Sequence, residues 1–118
     1  MANGKNNAAV VKSSGNVFVD LGLRDAEYKQ TRVRLAVAIN QIIEAQRLSQ
    51  TDAARLLAIN QPKVSALVNY RLEGFSVERL MHFLNALGRD VEIVIRKKTR
   101  AKRPGRILVT GTRLSRVI

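Results

Sequence analysis

A mainly α-helical domain of four to five helices, closed by a short β-strand and trailed by a basic tail, is the fold class that three features of this sequence predict. Apolar residues make up 46% of the 118 but aromatic ones only 4%, so the core has to be assembled from Leu, Ile, Val and Ala. Apolar side chains recur at three- and four-residue spacing through residues 25–87, the period of a helix face. Helix punctuation separates these runs, with Ser49, Asn60 and Ser76 each standing just before one and Gly88 just after the last. At this length there is room for one core. The chain divides into a disordered arm over 1–16, a domain over 17–95 and a basic tail over 96–118.

The arm is rich in Asn, Ala, Ser and Gly and lacks periodicity. Val17, Phe18, Val19, Leu21 and Leu23 then form a short apolar stretch expected to pack on the domain's edge. A long first helix is predicted from Asp25, as N-cap, to about Arg47, with Leu35, Ile39, Ile42, Ile43 and Gln46 on one stripe. Ser49 caps a second helix from Gln50 to about Leu57, whose buried side is Ala53, Ala54, Leu56 and Leu57. Asn60 caps a third from Gln61 to Asn69, with Pro62 in the first turn, where its missing amide hydrogen costs nothing. Ser76 caps a fourth, with Phe75 and Leu80 placed as a hydrophobic staple and an apolar face of Val77, Leu80, Met81, Leu84 and Leu87. Val91, Ile93 and Ile95 alternate with Glu92 and Val94 as a strand of about five residues, and Ile107, Leu108 and Val109 suit a second short one. The first strand has two available partners: its own copy across a two-fold axis, or residues near Ile107 or Val17 of the same chain.

The second and third helices carry the chemistry. Two short helices crossing steeply need a small residue at the crossing, a tight turn, and apolar anchors on the inner side of the second. Ala54 supplies the first, Leu57 and Ile59 bracket the turn, and Val64 and Leu67 are the anchors. Gln61, Pro62, Lys63, Ser65, Ala66 and Asn69 are then left facing outward. A Gln matches adenine with two hydrogen bonds, Lys matches guanine or phosphate, and short Ser or Ala side chains accommodate the thymine methyl.

This spacing over Gln50–Asn69 resembles the Xre/Cro/C1 type of helix-turn-helix, the λ-repressor-like fold of phage repressors, in which both helices open on Gln as they do at Gln50 and Gln61. The resemblance implies that Gln50, Ser65 and Asn69 hold phosphates and set the register, and it extends the binding set to Arg71. Ala58 departs from the family's usual Gly at the turn, and Asn60 is the alternative residue to take up the left-handed conformation there. Over residues 15–95 the chain is further similar to HigA-type antitoxins. That likeness rests on the Gly15–Phe18 and Asp20–Gly22 stretches, Asn60–Ser65, the Phe75–Ser76 junction, and Leu84–Gly88 leading into Asp90–Ile93. It implies a homodimeric repressor of its own operon, bound to a palindromic operator in double-stranded DNA and partnered by a HigB or RelE-like toxin. A stand-alone transcriptional regulator would show the same helices.

The formal charge of +12 points to a polyanionic partner. It is concentrated at one end. From Arg96 onward stand nine basic residues and no acidic one, against twelve basic and nine acidic before it. Arg96, Lys97, Lys98, Arg100, Lys102 and Arg103 are read as nonspecific phosphate contacts. The apolar residues at 107–109 and at Leu114, Val117 and Ile118 leave a toxin-docking role open for the same tail.

Other classes find little support. The chain has no cysteine, no apolar run near the roughly 20 residues of a membrane span, and no signal-peptide stretch, so a cytoplasmic, nucleoid-associated protein is expected. His82 stands alone beside an apolar face, and the carboxylates are scattered, which argues against a metal site, a cofactor or enzymatic chemistry. Binding to RNA is the alternative that the basic tail suggests, but the five aromatic residues are dispersed rather than arranged for base stacking.

Overall fold

In a computed structural model describing residues 16–98 and 104–111, four helices follow one another: α1 Asn16–Ala45, α2 Gln50–Leu57, α3 Gln61–Val68 and α4 Val77–Ala86. Residues 1–15, and Arg100, Lys102, Arg103, Leu114, Val117 and Ile118, to which the sequence assigns the arm and parts of the tail, lie outside the described residues. Three helix starts stand where expected. The side chains of Ser49, Asn60 and Ser76 accept from the backbone N–H groups of Asp52, Lys63 and Arg79 at 3.0, 2.9 and 3.0 Å, each satisfying one of the donors a helix start leaves open.

The first helix begins nine residues before the expected Asp25. Residues 16–24 contain no proline, and the one glycine, Gly22, weakens a helix without stopping it. Asp25 is therefore inside α1, where its carboxylate lies 3.3 Å from the Lys29 ammonium one turn on. The second half of α1 enters the core. Thr31, Leu35, Ala36, Ala38, Ile39, Ile42 and Ile43 are buried, while Gln46, expected on the same stripe, is exposed because it lies past the last turn.

The buried centre joins Ile39 and Ile42 of α1 to Ala53 and Leu57 of α2, Val64 and Leu67 of α3, and Leu80, Phe83 and Leu84 of α4. Phe75 and Leu80, the expected staple, are both in it, and Phe75 meets Phe83 edge to face at 5.9 Å. Leu56 is exposed rather than buried, since Ala53 and Leu57 one turn apart already fill the inner face of α2. Ala53 is fully buried and Ala54, the expected crossing residue, is only partly so.

No strand occurs among the described residues, so the expected strand at Val91–Ile95 does not form within the chain, nor does its possible partner at 107–109. The segment 91–98 makes no ladder with 104–111, and a strand exists only where its backbone groups have a partner. Val91 packs on the core, whereas Ile93, Val94 and Ile95 are 73%, 56% and 92% exposed. The chain returns to the helical body further on. Val109 packs against the core and the Ile107 N–H donates to the Glu27 carboxylate at 2.6 Å.

Candidate nucleic-acid interface

The turn between α2 and α3 sets the angle at which the second helix is presented. Ala58 takes the left-handed conformation (φ 58°, ψ 43°), and Asn60 is extended at φ −81°, so the alternative that Asn60 carries the left-handed bend is corrected. Closing the turn is what requires this: the Ile59 N–H reaches the Ala54 carbonyl at 3.1 Å and the Ala58 N–H the Arg55 carbonyl at 3.3 Å, which only a left-handed residue at 58 allows. The freed chain then places Asn60 to cap α3.

Two polar side chains of α1 hold the end of α3 and the connection that follows it. The Asn40 amide donates to the Leu67 carbonyl at 3.2 Å, and the Arg32 guanidinium donates to the carbonyls of Leu72 and Phe75 at 2.6 and 3.3 Å. Arg32 also lies over the Tyr28 ring at 5.2 Å, while the Tyr28 hydroxyl accepts from the N–H of Val77 at the start of α4. The end of α3 and the loop into α4 are thus tied to α1. The contacts from α1 to residues 67–77 were not singled out in the sequence, because residues 27 to 49 positions apart carry no local signal.

On the outer side, Gln50, Thr51, Gln61, Pro62 and Asn69 are exposed and Ser65 is half-exposed. Gln61, Ser65 and Asn69 are spaced four apart and so lie along one face of α3, with Val64 and Leu67 on the other. The Gln61 amide donates to the Thr51 hydroxyl at 3.1 Å, which joins the openings of the two helices. The Asn69 amide donates back to the Ser65 carbonyl at 2.9 Å. Arg71 is exposed just beyond.

Two of the expected outward residues are placed differently. Ala66 is partly buried against the core. Lys63 is half-buried, with its ammonium 5.3 Å from the centre of the Phe75 ring, beside Gly74. To reach a base edge it has to leave that ring. Thr51, which sequence reasoning passed over, enters the site through its contact with Gln61.

Asp52 stands in the first turn of α2, and its carboxyl is held below the usual carboxylate range by hydrogen bonds from the Ser49 side chain and backbone, with Arg55 at 3.3 Å adding to the effect. Of the tail, Arg96, Lys97, Lys98 and Arg106 are described and exposed. His82 is exposed, 3.8 Å from the Glu78 carboxylate. Among the described residues no helix is long and apolar enough to cross a membrane.

A family model for a helix-turn-helix domain matches residues 17–96. No curated protein matches the chain. Among solved structures, one is 64% identical, superposes with a TM-score of 0.71, and covers 74% of this chain and 98% of its own; its name places it provisionally among XRE-family transcriptional regulators. With the paired short helices, the caps and the exposed face of α3 where such a domain needs them, the chain belongs to the helix-turn-helix domain family, in its XRE branch.

Proposed function

We propose that the chain is a sequence-specific DNA-binding transcriptional repressor that inserts α3 into the major groove as a homodimer on a palindromic operator. The observation that carries this reading is the exposed line of Gln61, Ser65 and Asn69 on α3, with Gln50 and Thr51 beside it at the start of α2. Gln61 reads a base edge, while Gln50, Ser65, Asn69 and Arg71 hold the backbone and fix the register. Dimerisation is supported by the exposed aliphatic side chains of Ile93, Val94 and Ile95 at the end of the helical body, which a second copy would cover. Two copies also supply the half-sites, about one helical turn apart, that such operators present.

The finer reading is an antitoxin that represses its own operon and binds a HigB or RelE-like toxin, working at the nucleoid in the cytoplasm. Its support is the sequence resemblance over residues 15–95. The stand-alone regulator is favoured by the 64%-identical structure, whose name is that of an XRE-family transcriptional regulator.

A gel-shift titration against the DNA upstream of the chain's own gene, with scrambled duplex as competitor, tests the main reading. Selective retardation of dimer size is expected, and Gln61→Ala should reduce the preference while leaving helicity intact. Equal binding to both duplexes overturns the sequence-specific reading. Co-purification with the product of an adjoining gene, tested against the isolated chain, separates antitoxin from stand-alone regulator.

A further inference from the structure

We infer that Thr51 is a specificity-positioning residue: its hydroxyl holds the Gln61 amide in the orientation that reads one base pair, and joins that base contact to the DNA backbone. The inference rests on the proposed reading that Gln61 faces the major groove. A glutamine at the tip of an exposed helix has three rotatable side-chain bonds, and without a tether it presents its amide in many directions. Here the amide nitrogen donates to the Thr51 oxygen at 3.1 Å across the helix-turn-helix, ten residues away in sequence.

The valences explain why the tether does not spend the reading group. A glutamine amide has two N–H donors and a carbonyl oxygen. One N–H serves Thr51, which leaves one donor and one acceptor, the pair that adenine requires at N7 and at its 6-amino group. Thr51 in turn accepts from Gln61 through one lone pair and keeps its own proton. That proton is available to a phosphate oxygen, because Thr51 is exposed at the start of α2, beside Gln50. A phosphate, Thr51, Gln61 and adenine then form one continuous line of hydrogen bonds, in which the position of the backbone sets the orientation of the reading amide.

Competition titrations on the full chain test this, with the own-operator duplex and a panel in which each base pair is exchanged in turn. Gln61→Ala identifies the base pair that Gln61 reads. Thr51→Val, which keeps the shape and removes the oxygen, is expected to lower discrimination at that same base pair by about five- to tenfold, with the thermal midpoint unchanged. Thr51→Ser should restore it, and Thr51→Val added to Gln61→Ala should cause no further loss of discrimination. If Gln61→Ala abolishes discrimination at one base pair and Thr51→Val leaves it intact, the positioning role is overturned and the base-reading role of Gln61 stands. Equal weakening by Thr51→Val on every duplex reduces Thr51 to a phosphate contact, which also overturns the inference. No loss at any base pair for Gln61→Ala removes the reading of Gln61 itself and the inference with it.

Discussion

Ala58 is a residue whose chemistry does not suit its backbone. Its Cβ crowds the following carbonyl in the left-handed region it occupies, a cost of roughly 1–2 kcal/mol that glycine escapes. Arg47 and Tyr70 are in the same region, at φ 54° and 60°, so this chain bends after three of its helices without glycine. Glycine also has more freedom to lose on folding, which offsets part of the gain. Ala58→Gly is therefore expected to stabilise the domain by about 0.5–1 kcal/mol, seen as a higher denaturant midpoint at unchanged slope. A lower midpoint would show that the turn is not strained. Operator preference should be unaffected, because residue 58 lies outside the exposed line on α3.

At the scale of the element, the four helices use one grammar. Each of α2, α3 and α4 opens on a side-chain oxygen over its first free amides. Each of the four closes with paired backbone bonds of the kind made by Leu48 to Ile43 and Arg47 to Glu44, repeated after α2, α3 and α4. The start of α2 adds a charge, because the Asp52 carboxylate takes hydrogen bonds from Ser49 and sits at the positive end of the helix. Its pKa is lowered on folding, so the stability it contributes is present above the ordinary carboxylate range and disappears as pH falls through it. Thermal midpoints of the natural chain and Asp52→Asn should therefore differ at pH 7 and converge towards pH 3. A gap that persists in acid would mean that the carboxylate's charge is not what stabilises the start of α2.

At the scale of the whole molecule, the helical body and the basic stretch can be tested separately for a contribution to affinity. Val91 and Val109 both rest on the core, and the Ile107 amide is tied to Glu27, so the basic residues between them depart from and return to the same body. Replacing Arg96, Lys97, Lys98, Arg100, Lys102 and Arg103 by Gln keeps those anchors and removes six charges. If the stretch lies on phosphates, the slope of log affinity against log salt should shrink by up to about 5, at roughly 0.9 per phosphate, while the preferred sequence is retained. An unchanged slope would place the stretch away from DNA.

The sequence alone determined the parts of this protein that are set within a few residues. Ser49, Asn60 and Ser76 marked helix starts because a cap acts on amides two or three positions away, and the inner face of α3, with Val64 and Leu67, followed from helical period. Gln61 and Asn69 were legible for the same reason. The start of α1 was not, since Asp25 is as good in an ion pair with Lys29 as in a cap and nothing local breaks the helix before it. Tertiary structure decided the rest. Whether Val91–Ile95 pairs depends on a distant edge, and none is offered among the described residues. Lys63 turns onto Phe75, Arg32 reaches Leu72 and Phe75, and Thr51 meets Gln61 only once the chain has folded, because each contact joins residues whose separation in sequence exceeds any helical repeat.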